Sequence, residues 1–441
     1  MDLPWVASAK PASRRALVEG LSEIVETDGI FSLDGRAEFF MRRDDGLSCR
    51  KTKWHGRESY LVTNGIVHLV TLIGGGHISE FRFESSTGFP TTNPLWLPPW
   101  KTIEPYKYRA DKHASQYGSI TEGKLLSGIA GHSICLDYFG SPSTEEARQG
   151  LSQHGEAPNV KWKVGRARVL RAAVGLSAEV RLPVAGLRFS REVTLCRGES
   201  VAYFAETVTN ERKADHFFHW TEHVTLGPPF LSQSESRIYL PGTRGMTFSH
   251  GYDEGKDLLA AGRGFQWPLA PKQDGGGNVD LSRVFSHRGL GFVAGVLLDP
   301  RREFSFIAAL NTRDRLLVGY VFRGSDFPWV ATWEENRAIA AVPWKRKTEA
   351  RGLEFGTTPL PVPRRENFMV GGPLFGVPTV ACVPARGTKA IRYLSFLVEV
   401  PPGFKEVKDI RPAAKEVLIF GTGSKSPVRV RASRLVRLFR N

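Results

Sequence analysis

Apolar and polar residues alternate along most of the chain after residue 50. Between residues 60 and 72, most alternate positions are apolar on both sides of Asn64 and Gly65. An Asn-Gly pair between two such runs is a strong hairpin signal, because both residues accept the positive φ angles of a tight turn. The sequence therefore predicts a β-hairpin at the start of the main body.

Similar short runs follow as far as residue 400, and turn-forming residues separate them. They cover residues 178–182, 187–195, 201–208, 237–240, 291–298, 304–310, 316–322 and 391–400. Few helical periods appear among them. Many short strands with polar turns are typical of an all-β fold, and we predict a large antiparallel β-sandwich or barrel.

The first fifty residues have a different pattern. Leu17, Leu21, Ile24 and Val25 recur at helical spacing after Ser13. Serine is a favoured N-cap residue, because its hydroxyl accepts a hydrogen bond from a free backbone N–H of the first turn. We therefore predict a short amphipathic helix in an N-terminal extension over residues 1–50.

Charge adds one alternative to this picture. The 441 residues carry a formal net charge of +15, which invites binding to nucleic acid or another polyanion. No nucleic-acid-binding motif accompanies it, so we do not expect a nucleic-acid partner. Part of the excess lies near the C-terminus, at Lys425, Arg429, Arg431, Arg434, Arg437 and Arg440. We predict a solvated basic tail over residues 421–441 and a folded β-domain over residues 51–420.

The cysteines and the absence of long apolar runs favour a cytoplasmic location. Cys49, Cys135, Cys196 and Cys382 are far apart and form no CxxC pair, so neither a disulfide framework nor a cysteine zinc site is expected. Residues 1–12 lack the apolar segment of a secretory signal, and no run of about 18 apolar residues occurs. We predict a cytoplasmic protein without a membrane segment.

His154 is the first candidate for chemistry. It lies in the run 153–158, QHGEAP, whose glycine and proline predict a loop at a strand end. Functional side chains are common on such loops. The alternative is a structural histidine that only holds the loop.

His223 is the second candidate. Its segment, 219–225, is rich in β-branched and aromatic residues and favours a strand, with His219 and His223 on one face. A metal site made of His216, His219 and His223 would need a helix. On a strand His219 and His223 are roughly 13 Å apart, too far for one ion, so we predict no metal there.

Glu354 is the third candidate. It lies between Leu353 and Phe355, and if those two face the core, the carboxylate faces the other side of the strand. A carboxylate beside apolar groups can be tuned as a general base. The alternatives are an outward charge on an amphipathic strand, or Glu334 or Glu335 in the same role.

Tryptophans accompany all three candidates. Trp162, Trp220 and Trp333 lie close in sequence to His154, His223 and the glutamates. Indole faces stack on the C–H faces of sugar rings, so these three are candidate sugar-binding residues. The alternative for each is a place in the core.

The order of four motifs resembles the galactose mutarotase (aldose 1-epimerase) superfamily, from about residue 60 to residue 400. The motifs are Gly74-Gly75-Gly76-His77-Ile78 followed by Asn93-Pro94-Leu95-Trp96, His154-Gly155-Glu156-Ala157 with Trp162, Glu222-His223-Val224-Thr225-Leu226-Gly227, and Leu353-Glu354-Phe355-Gly356-Thr357-Thr358-Pro359. The resemblance implies a galactose mutarotase-like β-supersandwich that interconverts sugar anomers without a metal or other cofactor.

The resemblance also implies roles. Glu354 would remove the anomeric hydroxyl proton, His223 would protonate the ring oxygen, and His154 would position the sugar and share in the proton transfer. Glu222 replaces an asparagine that is common before the second histidine, and we predict that it contacts the substrate. Because this position and Phe355 depart from the family's pattern, the alternative is a non-catalytic carbohydrate-binding protein. The expected partner in either case is a monosaccharide or oligosaccharide, and the sequence does not predict an oligomeric state.

Overall fold

The fold is seen in a computed structural model, which describes residues 41–42, 46–253, 255–363, 366 and 373–440. The helix predicted after Ser13 lies outside these residues. The strands, in chain order, are β1 (Met41–Arg42), β2 (Leu47–Trp54), β3 (Arg57–Asn64), β4 (Val67–Leu72), β5 (Ile78–Phe83), β6 (His132–Cys135), β7 (Lys163–Val169), β8 (Ala173–Leu182), β9 (Leu187–Cys196), β10 (Val201–Asn210), β11 (His216–Phe218), β12 (Thr221–Leu226), β13 (Ser236–Tyr239), β14 (Gly242–Thr247), β15 (Gly264–Gln266), β16 (Leu269–Pro271), β17 (Asn278–Asp280), β18 (Gly291–Leu298), β19 (Phe304–Asn311), β20 (Leu316–Arg323), β21 (Trp329–Asn336), β22 (Glu349–Gly356), β23 (Ala381–Val383), β24 (Thr388–Glu399), β25 (Glu406–Ala413), β26 (Glu416–Thr422) and β27 (Val428–Arg431).

The helices are short and few in this part of the chain. They are α1 (Ala110–Tyr117), α2 (Ile120–Leu126), α3 (Thr144–Arg148) and α4 (Leu435–Leu438), with 3₁₀ turns at Ser85–Thr87, Pro105–Lys107 and Ala157–Asn159.

Two large antiparallel sheets contain most of the strands. One has the order β1-β2-β3-β4-β5-β6-β12-β22-β21-β18-β14-β15-β16-β17, and the other has the order β13-β19-β20-β24-β10-β9-β8-β7. Their facing sides share one apolar core, to which Val62 and Phe355 contribute from the first sheet and Phe189 and Tyr393 from the second. The predicted all-β antiparallel sandwich is confirmed.

The predicted hairpin is β3–β4, and its turn shows why the pattern was informative. Gly65 has a φ of 82°, and the side-chain oxygen of Asn64 accepts backbone hydrogen bonds from Ile66 at 3.0 Å and Val67 at 2.9 Å. The asparagine thus closes the turn while the glycine takes the left-handed conformation.

The C-terminal segment differs from the solvated tail that its charge predicted. Strand β27 pairs with β26 in a three-stranded sheet, and Val430, Leu435 and Phe439 are buried in a second apolar core on that sheet. The basic side chains alternate with these apolar ones and point outward, which is why the composition alone suggested a tail. Strands β2 and β26 also cross the predicted boundaries at residues 50 and 420.

All four cysteines lie in the described part of the chain and are free thiols; Cys382 is exposed and the other three are buried. No helix within the described ranges is long and apolar enough to cross a membrane.

Candidate functional site

Two paired strands place the central side chains. On β12 and β22, His223 lies directly opposite Glu354. Their sequence neighbours Val224, Leu353 and Phe355 fill the core between the sheets. Because successive side chains of a strand alternate between its faces, His223 and Glu354 both project from the outer face of the sheet.

His223 and Glu354 are in direct contact. Nε2 of His223 lies 2.9 Å from Oε1 of Glu354, and Nδ1 of His223 lies 3.2 Å from the hydroxyl of Thr225. Both side chains are almost fully buried. An imidazole and a carboxylate at this distance form an acid–base pair shielded from water.

A loop brings His154 to the same place. Its backbone N–H bonds to the carbonyl of Gly140 at 3.2 Å and its carbonyl accepts from Leu136 N at 3.1 Å, which ties the loop to the chain leaving β6. The next residue must be glycine, since Gly155 has a φ of 80° and a Cβ there would lie 2.3 Å from the Leu136 oxygen. The His154 and His223 rings lie 4.8 Å apart, centroid to centroid.

The surroundings of His154 keep its imidazole neutral. Burial, with a smaller contribution from His223, lowers the pKa of His154 to about 3. Its Nδ1 lies 2.6 Å from the carbonyl oxygen of Phe139, so Nδ1 carries the hydrogen and donates it. Nε2 is left as an acceptor, a role that suits orientation of a hydroxyl rather than supply of a proton.

Trp333 completes one side of the site. It lies on β21 opposite Gly352, where a Cβ would be 2.0 Å from the indole and 2.5 Å from Oε1 of Glu354. Only glycine therefore allows the indole and the carboxylate to approach each other. The indole N–H is buried without a hydrogen-bond partner among the described residues, so it is available to a ligand.

These groups open into a cavity of about 280 Å³. Its polar lining includes His154, His223 and Glu354. Its apolar lining includes Leu125, Leu126, Ile129, Trp333 and Trp344. The volume is close to the lower end of the range for small-molecule sites, ~300–1,000 Å³.

A second cavity is larger, about 650 Å³, but carries none of the predicted site residues. Asp299, Arg301, Arg302 and Lys389 are among the residues that line it. Size alone would favour this larger cavity. The smaller cavity contains His223 and Glu354, and we therefore take the smaller one as the candidate site.

Comparison with solved structures identifies the fold. A protein from Klebsiella pneumoniae, provisionally named an aldose 1-epimerase, superposes with a TM-score of 0.58 at 15% identity over 81% of this chain and 85% of its own. A galactose mutarotase-like protein from Clostridium acetobutylicum superposes with a TM-score of 0.55 at 11% identity over 81% of this chain and 100% of its own. The chain has the galactose mutarotase-like fold. Neither a family model nor a curated protein sequence matches it.

The galactose mutarotase-like fold brings together four of the seven predicted site residues: His154, His223, Glu354 and Trp333. Trp162, Trp220 and Glu222 lie elsewhere, and their prediction as sugar-binding residues needs correction. Trp220 and Glu222 are on the opposite side of the chain from His223 and are fully buried between the sheets. Trp162 packs over Gly76 in the same core and donates its N–H to the Ala157 carbonyl at 2.9 Å.

Glu222 is the centre of a buried polar network behind His223. Its carboxylate lies 2.9 Å from Arg191, 2.8 Å from His132 and 3.1 Å from the hydroxyl of Tyr393. Arg191 also contacts Glu206 at 2.5 Å, and burial raises the pKa of Glu206 to about 8. Glu222 is on the first sheet and Arg191 and Tyr393 are on the second, so the network joins the two sheets.

The rival carboxylates do not reach the acid–base pair. Glu334 points to the opposite face from Trp333 and pairs with Arg351 at 3.0 Å. Glu335 accepts a hydrogen bond from the Tyr252 hydroxyl at 2.7 Å. Neither lines the cavity that contains Glu354.

The metal-ligating candidates from the sequence also separate. His216 lies 2.9 Å from Asp137, and Nδ1 of His219 accepts from the Phe139 N–H at 3.1 Å, so the two do not converge on His223. The structure adds a residue that sequence reasoning missed, Cys135, which is buried beside His223. Cys135 reaches the site because β6 pairs with β12, and these two strands are far apart in the sequence. No local motif could therefore have indicated that Cys135 lies near His223.

Proposed function

We propose that this protein is an aldose 1-epimerase-type isomerase that interconverts the anomers of a sugar by general acid–base catalysis. The observation that carries the proposal is the 2.9 Å contact between His223 and Glu354 inside a cavity, with His154 next to it. The names of the similar structures, aldose 1-epimerase and galactose mutarotase-like protein, point to the same chemistry.

In the proposed reaction each group has one task. Glu354 takes the proton from the hydroxyl on C1 while His223 gives a proton to the ring oxygen, and the bond between C1 and the ring oxygen breaks. The open-chain aldehyde rotates about C1–C2. The ring then recloses on the other face of C1, as the two proton transfers run in reverse. A bound sugar would replace the direct contact between the two side chains.

His154 and Trp333 serve to orient the sugar. The acceptor Nε2 of His154 receives a hydrogen bond from a ring hydroxyl, because its pKa of about 3 leaves no proton there. The face of Trp333 stacks on C–H groups while its free N–H donates to an oxygen. Trp344 and Leu125 then cover the less polar side of the ring.

Polarimetry of freshly dissolved α-aldoses tests the proposal. The protein should speed the approach to anomeric equilibrium for at least one sugar of a panel. Glu354→Gln should reduce that rate by ~10²–10⁴-fold, the contribution expected of one acid–base group. A folded protein that accelerates no sugar, or a Glu354→Gln variant with full activity, would overturn the proposal.

A carbohydrate-binding protein without catalysis is the second candidate. The observation that favours it is the same contact, since it occupies both reactive groups in the absence of a ligand. Saturation-transfer NMR would show sugar binding without faster anomer exchange in that case. The identity of the sugar and the cytoplasmic location remain predictions.

A further inference from the structure

The thiol of Cys135 faces the two histidines of the site. On β6, Ser133 pairs with His223 and Cys135 pairs with Thr221, so all four side chains project from the same face of the sheet. The sulfur of Cys135 and one ring nitrogen each of His154 and His223 lie within 4.8 Å of one another, and all three residues are buried.

We propose that Cys135, His154 and His223 bind one thiophilic divalent cation of the zinc class, with water in the fourth position. A thiolate and two imidazoles form a ligand set that suits tetrahedral Zn²⁺ or Co²⁺ and not Mg²⁺ or Ca²⁺. The cation would use the same imidazole nitrogens as the sugar. Metal and sugar therefore exclude each other, and this second part rests on the proposed function.

The geometry needs only a small closure. Three atoms within 4.8 Å of one another have a common point no more than about 2.8 Å from each of them. Zinc bonds measure about 2.0–2.1 Å to nitrogen and about 2.3 Å to sulfur, so each atom would move inward by roughly 0.5–0.8 Å. Side-chain rotation covers that distance without a change in the strands.

Each histidine already has a hydrogen-bond contact at Nδ1, as metal-ligating histidines usually have at the nitrogen that does not bind the metal. Nδ1 of His154 bonds to the Phe139 carbonyl, and Nδ1 of His223 contacts the Thr225 hydroxyl. Contacts of this kind fix the ring and leave Nε2 for the metal. Nε2 of His223 lies 2.9 Å from Oε1 of Glu354, a contact that an incoming cation would replace.

The ion has a route to these atoms. The cavity of about 280 Å³ is lined by His154, His223 and Glu354, so a hydrated cation entering it meets both imidazoles and the carboxylate. Cys135 is not among the residues that line the cavity, so its thiolate would bind last and replace one water of the ion.

Cobalt spectroscopy tests the site directly. We expect the full-length, metal-free protein to take up one equivalent of Co²⁺, with the visible bands of a four-coordinate ion and a near-ultraviolet thiolate charge-transfer band, both removed by Zn²⁺. Cys135→Ser should abolish the charge-transfer band and weaken binding at least ~10-fold, a loss of the size seen even for outer-shell contacts. Cys382→Ser and Cys196→Ser are the matched controls, an exposed and a buried thiol outside the site, and both should behave as the unchanged protein.

Three results would overturn the metal site: no bound Co²⁺, a six-coordinate spectrum, or a charge-transfer band that survives Cys135→Ser. If Cys135→Ser does not fold, His154→Gln supplies the second test. It leaves every thiol in place and should still weaken Co²⁺ binding at least ~10-fold, and unchanged affinity contradicts the proposal.

Activity assays separate this inference from the proposed function. Anomer exchange should persist with a chelator present and should be lost when one equivalent of Zn²⁺ is added. Metal binding by a protein without exchange activity would sink the proposed function and leave the metal site standing. Exchange activity without metal binding would contradict the metal site and leave the proposed function standing. Activity undiminished by bound Zn²⁺ would contradict the mutual exclusion of metal and sugar.

Discussion

At the scale of single residues, His154 and His223 are neighbours with different surroundings. His154 is stacked on Phe139 and held by its carbonyl, whereas His223 faces the carboxylate of Glu354. The sequence could predict both histidines and the glutamate from their motifs and their order. It could not predict that His154 is kept neutral, because that depends on burial and on a carbonyl contributed by the chain after β6.

The low pKa of His154 predicts a pH-dependent contribution to stability. Its unfolded-state pKa is near 6.5 and its folded-state pKa is about 3, so below pH 6.5 the unfolded chain binds a proton that the folded protein excludes. The stability of the protein relative to His154→Gln should therefore fall by up to about 1.4 kcal/mol per pH unit between pH 6.5 and pH 3. Urea unfolding of both proteins at several pH values measures this difference, and a difference independent of pH contradicts a neutral buried His154.

Gly352 is the second residue-scale prediction. A methyl group there collides with Trp333 and Glu354, so Gly352→Ala should cost about 1–3 kcal/mol of stability and disturb sugar binding. Gly264→Ala is the matched control, since that strand glycine has its nearest neighbour 3.9 Å from an added Cβ. Chemical denaturation and near-ultraviolet circular dichroism compare the two. Equal stability and equal near-ultraviolet spectra of the two variants would mean that Trp333 does not pack against Gly352.

At the scale of the element, strand β12 explains which predictions succeeded. The segment forms the predicted strand, in which a period of two puts His223 on the same face as Thr221 and Thr225. The same period places Trp220 and Glu222 on the other face. The prediction overlooked this, because the family motif groups neighbouring residues without regard to the face on which each side chain lies. Cys135 was out of reach, since nothing local in the sequence shows that β6 lies beside β12.

The buried network predicts that Glu222 is a structural residue. Glu222→Gln removes a carboxyl partner of a buried arginine and should cost about 3–5 kcal/mol in urea unfolding, while sugar affinity of the folded protein stays the same. Glu179→Gln, which breaks an exposed pair with Lys163, is the control and should change stability by no more than about 1 kcal/mol. Weaker sugar binding without a loss of stability would restore Glu222 as a substrate contact.

At the scale of the whole molecule, alternation and turn residues were enough to predict an antiparallel sandwich. The sequence did not show that the chain continues to fold beyond residue 420. There the apolar residues are few and spaced among arginines, and their burial depends on the outer face of the second sheet. Val430 and Phe439 pack with Val321 and Leu394, far away in the chain, which composition cannot reveal.

Removal of the C-terminal segment should therefore destabilise the protein. A chain that ends at Thr422 loses the buried side chains of Val430, Leu435 and Phe439, each worth about 1.5–3 kcal/mol. Thermal unfolding of the truncated protein should occur at a clearly lower temperature, or the protein should aggregate. The control replaces Arg429, Arg431 and Arg437 with glutamine, which removes charge and keeps the packing. A truncated chain as stable as the full one would mean that the segment is a tail.

The central claim is that Glu354 and His223 exchange protons with a sugar in the cavity beside β12 and β22. Exchange NMR between the α and β signals of each aldose in a panel measures that reaction at equilibrium, for the unchanged protein and for Glu354→Gln at equal folded concentration. We predict faster exchange for at least one aldose and a ~10²–10⁴-fold loss in the variant. No acceleration of any aldose by the folded protein, or equal acceleration by both proteins, would contradict the account.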